Sequence, residues 1–153
     1  MVVSAGGTRE PIDPVRFIGN RSSGKQGHAV AEEAAARGAK VTLVTTTSSP
    51  ASAGIDVVRV ETAREMEAAM VSESHDADVI VMAAAVADFR PVAEAPNKIK
   101  KAGGVPELVL EPTADILAHL GAQRRPGQTI VGFAAETNDL RANAADKLSR
   151  KGI

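Results

Sequence analysis

Asp78-Val79-Ile80-Val81-Met82-Ala83-Ala84 is continuously apolar after its first residue. Strands of a parallel sheet are covered by helices on both faces, so they carry near-continuous apolar runs instead of alternating apolar and polar residues. The stretch therefore predicts a central parallel strand. Residues 129–133, Thr-Ile-Val-Gly-Phe, have the same character and predict a second strand of this kind.

Shorter strands and helices alternate along the rest of the chain. Apolar runs predict strands at residues 2–5, 40–45 and 57–60. Helical spacing of apolar residues and capping patterns predict helices at 24–37, 62–72, 113–120 and 138–151. The alternation predicts an α/β chain with a doubly wound, mostly parallel sheet. Residues 85–111, which contain three prolines, are predicted to be less regular.

The composition is that of one globular domain without a membrane span. The 153 residues are 44% hydrophobic and 24% charged, and no apolar run approaches the ~20 residues that cross a bilayer. There is no cysteine, and the start Met-Val-Val-Ser lacks the pattern of a signal peptide, which predicts a cytoplasmic protein. The net charge of −1 and the absence of Trp and Tyr count against nucleic acid and membranes as partners.

The loop at residues 17–27, Phe-Ile-Gly-Asn-Arg-Ser-Ser-Gly-Lys-Gln-Gly, has the composition of an anion site. Its glycines allow positive φ angles and a close backbone approach, and the helix that follows offers unpaired N–H groups and the positive end of its dipole. Ser22, Ser23, Gly24 and Lys25 fit a phosphate cradle, although the loop lacks the Walker A order. A plain turn is the alternative interpretation, because Gly, Ser and Asn are common in turns.

Three segments follow the carboxyl ends of predicted strands, where ligands of open α/β sheets bind. They are residues 6–16, 85–101 and 132–137. The first two are rich in charged residues, and the third contains Phe133 and Glu136. We expect all three segments to lie on one rim of the sheet.

Four motifs on this rim resemble those of a known enzyme family. They are residues 7–27, Ala-Ala-Val-Ala-Asp-Phe-Arg-Pro at 84–91, Lys-Ile-Lys-Lys at 98–101 and Val-Gly-Phe-Ala-Ala-Glu-Thr at 131–137. In this order they closely resemble bacterial phosphopantothenate-cysteine ligase, also called phosphopantothenoylcysteine synthetase. The resemblance extends from residue 2 to 152 and implies a Rossmann-like fold with helices on both faces of the sheet.

The resemblance implies an activity in coenzyme A synthesis. The family uses CTP, with Mg²⁺ or another divalent cation, to activate the carboxylate of 4′-phosphopantothenate as an acyl-cytidylate, releasing pyrophosphate. The amine of L-cysteine then displaces CMP to give 4′-phosphopantothenoylcysteine. The resemblance also implies a homodimer and a fusion or association with a flavin-dependent decarboxylase, with no flavin in this domain.

The resemblance also implies roles for individual residues. Asn20 corresponds to the catalytic asparagine of acyl-cytidylate formation, and Lys98 to a lysine that contacts the triphosphate. Arg16 joins Asn20 as a candidate for substrate binding, and Asp88 is a candidate Mg²⁺ ligand. The nucleotide-binding positions are Ser22, Ser23, Gly24, Lys25, Met82, Ala83, Ala84, Asp88, Phe89, Lys98, Ala114, Asp115, Ile116, Leu117, Phe133, Lys147 and Lys151.

Several of these residues have a second interpretation. Asn20 is also a residue that favours the left-handed conformation of turns, Met82 fits the core, and a lysine run such as 98–101 is often a solvated face. Arg16 could bind a phosphate or form a structural ion pair with Asp13. Family members have Asn-Pro where this sequence has Thr113-Ala114, which weakens the correspondence there.

Two other classes of protein would share the fold. A nicotinamide-dependent reductase is disfavoured because Gly-x-Gly-x-x-Gly is absent after the first strand and there is no Tyr for a Tyr-Lys pair. A non-catalytic nucleotide-binding module is the second alternative. Family members continue past the point that matches Ile153. We therefore expect residues 1–153 to be a single nucleotide-binding synthetase domain that lacks the C-terminal segment, and to be impaired in ligation.

Overall fold

The computed structural model describes residues 1–134, 139, 145, 148, 151 and 153. Within these residues the elements follow in the order β1 (Val2–Ala5), β2 (Arg9–Pro11), β3 (Phe17–Gly19), α1 (Lys25–Ala36), β4 (Val41–Thr45), β5 (Ile55–Arg59), α2 (Ala63–Ser74), β6 (Val79–Met82), β7 (Phe89–Pro91), β8 (Leu110–Pro112), α3 (Ile116–Ala122) and β9 (Thr129–Gly132). A short 3-10 helix at Lys101–Gly103 lies between β7 and β8.

Five of the strands form one parallel sheet in the order β5-β4-β1-β6-β9. Val3 of β1 lies between Leu43 of β4 and Val81 of β6, so the apolar run at 78–84 is central, as predicted. The chain builds outward from β1 in one direction and then from β6 in the other. The predicted α/β fold with a doubly wound parallel sheet is confirmed.

Helices cover both faces of the sheet because successive residues of each strand point to opposite sides. On one face Val3, Leu43 and Val81 pack with Ala31 of α1. On the other face Val2, Ile80 and Ile130 pack with residues of α2 and α3, among them Met66, Met70 and Leu120. Burial of these side chains is the main source of stability, at roughly 25 cal/mol per Å² of apolar surface.

The helices start close to their predicted positions. Thr62 accepts a hydrogen bond from the Glu65 N–H at 3.2 Å, and the Glu65 carboxylate accepts one from the Thr62 N–H at 3.2 Å, which completes the predicted capping box. Gly38 has the expected positive φ of 88° after α1. The helix predicted from residue 113 begins instead at Ile116, because Asp115 accepts a hydrogen bond from the Ala118 N–H and caps it.

Helix α1 lies unusually close to β1 at Gly27. A Cβ atom added there would lie 2.5 Å from the carbonyl oxygen of Ser4 and 2.6 Å from the Cβ of Ala5. Gly27 is therefore required because helix and strand approach each other closely, as predicted. The positive φ angle that is the other predicted use of a loop glycine does not occur at Gly27. Of the predicted loop glycines, Gly24 does have a left-handed φ, 74°.

Two small antiparallel sheets stand outside the main sheet, and the sequence did not predict them. β2 pairs with β3 as a hairpin, and β7 pairs with β8, so the segment at 85–111 is more ordered than expected. The backbone N–H of Arg9 donates to Glu61 O at 2.9 Å, and the Glu10 carboxylate accepts from the Ala63 N–H, which fixes the hairpin to the start of α2.

Most of the last predicted helix, residues 138–151, lies outside the described residues. In the described part of the chain, no helix is long and apolar enough to cross a bilayer.

Candidate functional site

A cleft of about 750 Å³ opens at the carboxyl ends of β6 and β9, between the start of α1 and the start of α3. It lies beside the point where the chain order of the sheet reverses, between β1 and β6, which is where doubly wound sheets bind ligands. Its lining residues are Asn20, Arg21, Ser22, Gln26, Met82, Ala83, Ala84, Ala85, Val86, Ala87, Asp88, Thr113, Ala114, Asp115, Ile116, Leu117, Phe133, Ala134 and Lys151. We call it the main cleft.

The main cleft brings together most of the residues singled out in the sequence. Those that line it are Asn20, Ser22, Met82, Ala83, Ala84, Asp88, Ala114, Asp115, Ile116, Leu117, Phe133 and Lys151. Ser23, Gly24, Lys25 and Phe89 do not line it, Arg16 and Lys98 line a separate cleft, and Lys147 is outside the described residues. Met82 belongs both to the cleft and to the core, in agreement with both interpretations of it.

Asn20 is fixed at the mouth of the main cleft. Its Nδ2 donates a hydrogen bond to the carbonyl oxygen of Val86 at 2.9 Å. The loop can pass over β1 because Gly7 has no side chain, since a Cβ there would lie 2.5 Å from the Asn20 carbonyl oxygen. Among the described residues only Asp139 and glycines have positive φ, so the left-handed turn interpretation of Asn20 is wrong.

Two threonines hold the peptide that precedes Asp88. Buried Thr8 accepts a hydrogen bond from the Ala87 N–H at 2.9 Å, and the Thr113 hydroxyl donates to the Ala87 carbonyl oxygen. The Thr113 N–H also donates to Asp88 O at 3.0 Å. The backbone at Asp88 is therefore fixed from both sides, while its side chain is exposed at the cleft.

Ser4, a fully buried residue of β1, supports two residues that line the main cleft. Its Oγ accepts hydrogen bonds from the N–H groups of Ala83 and Ala84, both at 3.1 Å, just where β6 ends. Backbone pairing between the two segments resumes just beyond this point, where the Ala85 N–H donates to the Gly6 carbonyl oxygen at 2.8 Å, so the serine hydroxyl serves the two N–H groups in between. The Ser4 hydroxyl thereby fixes the backbone of Ala83 and Ala84 at the edge of the main cleft.

The start of α1 has free hydrogen-bond donors beside the main cleft. Gly24 caps the helix without a side-chain hydrogen bond, so within the described part of the chain the first N–H groups of α1 receive no side-chain cap. The Gly24 N–H itself donates to Ser22 Oγ at 3.3 Å. A helix N-terminus of this kind favours an anion through its N–H groups and its dipole.

An ion pair closes the other side of the main cleft. Lys151 Nζ lies 3.0 Å from the carboxylate of Asp115, which also caps α3. The Lys151 side chain is only 14% exposed, so the pair lies partly out of water. Both residues were predicted to contact a nucleotide, and the structure shows that they contact each other.

A second cleft of about 700 Å³ carries four cationic side chains. Arg16, Lys98, Lys100 and Lys101 line it together with Ile99, Gly104, Val105 and Pro106. We call it the lysine cleft. Arg16 pairs with the buried carboxylate of Asp13 at 2.5 Å, so the structural interpretation of this arginine is realised. The Arg16 guanidinium holds the pKa of Asp13 well below its usual range, against the opposing effect of burial.

The acidic residues of the main cleft limit how a metal could be held. No group of three or more His, Cys, Asp or Glu side chains that could hold a metal occurs among the described residues. No described residue pairs with the Asp88 side chain. A lone carboxylate suits Mg²⁺ that arrives with a phosphate ligand, because Mg²⁺ is often bound through one or two carboxylates plus substrate phosphates.

Some lining residues were not singled out in the sequence. Arg21 and Gln26 line the main cleft from the loop at 17–27, and Thr113 lines it from the end of β8. Arg21 could have been found, since it follows Asn20 directly in the anion loop. The role of Thr113 depends on contacts with Ala87 across 26 residues, for which the local sequence carries no signal.

Comparison with known proteins shows one family. The profile of the DNA/pantothenate metabolism flavoprotein C-terminal domain matches residues 1–153. The coenzyme A biosynthesis bifunctional protein CoaBC of Mycobacterium tuberculosis (strain ATCC 25618 / H37Rv) is 52% identical over 164 residues, covering 99% of this chain and 39% of the relative. A cysteine/cysteine sulfinic acid decarboxylase of an unknown prokaryotic organism is 48% identical over 153 residues, covering 99% of this chain and 43% of the relative.

A solved structure agrees with the fold. The crystal structure of the C-terminal domain of a coenzyme A biosynthesis bifunctional protein CoaBC superposes with a TM-score of 0.84 at 40% identity, covering 98% of this chain and 71% of that chain. The chain thus spans about two fifths of the length of the curated relatives it matches.

Proposed function

Because the chain belongs to the DNA/pantothenate metabolism flavoprotein C-terminal domain family, we propose that it carries the phosphopantothenate-cysteine ligase activity of coenzyme A biosynthesis. The reaction joins 4′-phosphopantothenate to L-cysteine at the expense of CTP. It gives 4′-phosphopantothenoylcysteine, CMP and pyrophosphate. The names of the CoaBC relatives support the pathway, and the choice of CTP rests on the resemblance of the sequence motifs.

The single observation that carries this proposal is the content of the main cleft. An amide donor at Asn20, a carboxylate at Asp88 and Gln26 in the first turn of α1 all line one space of about 750 Å³. A nucleotide triphosphate and a phosphorylated carboxylate repel each other, so a site that joins them needs donors for negative charge. This combination fits the joining of two anions better than it fits hydride transfer.

The first step activates the carboxylate. A carboxylate oxygen of 4′-phosphopantothenate attacks the α-phosphorus of CTP, the bond to the β-phosphate breaks, and pyrophosphate leaves. One N–H of the Asn20 amide is already donated to Val86 O. The second N–H is available for the charge that develops on the reacting oxygens, and the first bond holds the amide in place.

The nucleotide contacts are divided between two regions in this proposal. The phosphates lie near Ser22 and the N-terminus of α1, with Arg21 adding positive charge. Lys98 reaches them from the lysine cleft. The base and ribose lie near Phe133 and the start of α3. Mg²⁺ bound with the nucleotide would lie near Asp88 and would offset the charge of the phosphates.

The second step forms the amide. The amine nitrogen of L-cysteine attacks the acyl carbon, the bond to the phosphate oxygen breaks, and CMP leaves. The negative charge that develops on the acyl oxygen in this step lies within reach of the same Asn20 amide.

By its resemblance to the family, we propose a homodimer and a fusion or association with a flavin-dependent decarboxylase.

The two half-reactions can be tested separately. The chain is mixed with CTP, Mg²⁺ and 4′-phosphopantothenate without cysteine, and pyrophosphate and acyl-cytidylate are followed. We expect both to form and CMP to appear only after cysteine is added. Release of CDP would indicate phosphoryl transfer, and binding of CTP without pyrophosphate release would favour the non-catalytic module.

A further inference from the structure

The backbone of the lysine cleft is held at one residue by an ion pair whose carboxylate, Asp13, is buried and whose cation, Arg16, is partly exposed. Ile99 lies between Lys98 and Lys100, whose side chains are exposed. The Ile99 N–H donates to Asp13 Oδ2 at 3.0 Å, and the Ile99 carbonyl oxygen accepts from Arg16 Nη2 at 2.7 Å. Both groups of one residue are thus bound by two side chains that are more than 80 positions away in sequence.

Asp13 is fully committed to these contacts. One carboxylate oxygen accepts the N–H groups of Val15 and Arg16, both at 2.9 Å. The other oxygen accepts from Arg16 Nε at 2.9 Å, from Arg16 Nη2 and from the Ile99 N–H. The Asp13 side chain is 0% exposed. A carboxylate offers acceptors on both oxygens, and the planar guanidinium pairs with Asp13 through Nε and Nη2 while Nη2 also donates to the Ile99 carbonyl oxygen.

The same hairpin carries Asn20. Asp13 and Arg16 lie in the turn between β2 and β3, and β3 leads directly to Asn20. The turn also contacts the chain just before Lys98, because the Ala95 N–H donates to the Ile12 carbonyl oxygen at 2.9 Å. A single short element therefore fixes Asn20 at the main cleft and Ile99 at the lysine cleft.

We propose that Asp13 is a positioning residue that, together with Arg16, sets where Lys98 and Lys100 stand relative to the main cleft. Asp13 contacts no ligand and acts through the backbone of Ile99. Contact between these lysines and the triphosphate rests on the proposed function. The hydrogen bonds that join Ile99 to Asp13 and Arg16, which we call the clamp, are independent of it.

The clamp is tested first without any ligand. Hydrogen exchange of the Ile99 amide and the rate of tryptic cleavage after Lys98 and Lys100 are measured in the wild type and in Asp13→Asn. We expect both rates to rise about tenfold or more, since a buried hydrogen bond to a charged group is lost. Glu10→Gln is the matched control, because Glu10 is a buried carboxylate of the same hairpin that contacts Ala63 and not Ile99.

A second variant covers the case in which Asp13→Asn does not fold. Arg16→Lys keeps a cation beside Asp13 but cannot bond Asp13 and Ile99 with one planar group. Faster exchange at Ile99 in this variant supports the clamp. Unchanged exchange and cleavage in every folded variant of Asp13 and Arg16, or equal increases in Glu10→Gln, would overturn it.

The effect on the nucleotide is tested by a double-mutant cycle. MgCTP binding is measured by calorimetry in the wild type, Asp13→Asn, Lys98→Gln and the double variant. We expect binding to weaken about tenfold in each single variant and little further in the double variant. Additive losses would mean that Asp13 acts on stability and not through Lys98. Absence of MgCTP binding in the wild type would instead contradict the proposed function, while the exchange measurement still decides the clamp.

Discussion

Asn20 shows how one side chain can be both anchored and available. One amide hydrogen is bonded to the Val86 carbonyl oxygen, which fixes the amide group of a residue that lines the main cleft. Replacing the amide by a carboxylate removes both donors and places a negative charge against a carbonyl oxygen. The substitution therefore changes the chemistry of the site with little change in shape.

We expect Asn20→Asp to lower the rate of pyrophosphate formation about 10²- to 10³-fold, the cost typical of losing one donor to developing oxyanion charge. The measurement is a cysteine-free pyrophosphate assay. Gln26→Glu is the matched control, since it adds the same charge to the same cleft without contacting Val86. Equal losses in the two variants would show that the cleft responds to charge in general and that Asn20 has no special part.

The pH dependence of stability should report on Asp13. Because the Arg16 guanidinium lowers the pKa of Asp13 in the folded state, the unfolded state binds more protons at mildly acidic pH. The stabilisation is therefore fully present above the ordinary Asp pKa of ~3.9 and is lost as the pH falls below it.

We expect the urea midpoint of the wild type to fall more steeply between pH 5 and pH 2.5 than that of Asp13→Asn. The urea midpoints of the wild type and of Asp13→Asn should differ most at neutral pH and should approach each other in acid. Parallel curves over the whole range would contradict a depressed pKa at Asp13. Unfolding followed by circular dichroism at each pH is sufficient.

At the scale of elements, the parallel strands were predictable and the small antiparallel pairs were not. Residues 79–84 are apolar throughout, as a strand buried on both faces requires, and β6 is such a strand. The prediction of a second central strand at 129–133 was wrong, because among the described residues β9 lies at the edge of the sheet and Val131 is 41% exposed. The pairs β2–β3 and β7–β8 consist of three-residue strands with Pro11, Pro91 and Pro112. Such strands are too short to show alternation, and proline argues against a strand.

The residues of the candidate site also include some whose location the sequence predicts and others whose location it does not. Residues that follow strand ends, such as Ala84 and Asp88, could be placed on one rim because the carboxyl ends of parallel strands share an edge. The position of Lys98 could not be predicted, because its neighbour Ile99 donates a hydrogen bond to Asp13 and accepts one from Arg16. Contacts between segments more than 80 residues apart leave no periodic pattern in the sequence.

The packing of α1 on β1 gives a prediction about Gly27. In an exposed helix interior, Gly→Ala stabilises by ~1 kcal/mol. Here the added methyl group would lie 2.5 Å from the Ser4 carbonyl oxygen, so we expect Gly27→Ala to lower the free energy of unfolding by ~1–3 kcal/mol. Denaturant unfolding measures the change.

Ala29→Ser is the control for this substitution, because it adds one atom to the exposed face of the same helix. Its effect should stay within ~0.5 kcal/mol. A stabilised Gly27→Ala variant would show that α1 can move away from β1 without cost.

At the scale of the whole molecule, two clefts lie around one hairpin. The main cleft has the features expected of a nucleotide site, and the lysine cleft carries four cationic side chains. The β2–β3 hairpin joins them and is itself fixed to α2 through Glu10 and Ala63. Ligand binding at either cleft should therefore stabilise the fold as a unit.

We expect MgCTP to raise the thermal midpoint. A ligand at 100 times its Kd adds ~2.7 kcal/mol, which corresponds to roughly 5–10 °C for a chain of this size. NADPH at the same concentration is the comparison and should give no shift. A shift with NADPH and none with MgCTP would favour the reductase alternative, and differential scanning fluorimetry distinguishes them.

The buried Ser4 has a consequence for the rate at which a nucleotide binds in the main cleft. Since Ser4 already satisfies the N–H groups of Ala83 and Ala84, the backbone at the end of β6 need not exchange hydrogen bonds when a nucleotide arrives. Association should then be a single bimolecular encounter, with an observed rate constant that rises linearly with nucleotide concentration and reaches no plateau. Ser4→Ala, which replaces the hydroxyl by a hydrogen atom, would leave these two N–H groups without their acceptor, so we expect a slow rearrangement of the backbone to precede the encounter and the rate constant to reach a plateau.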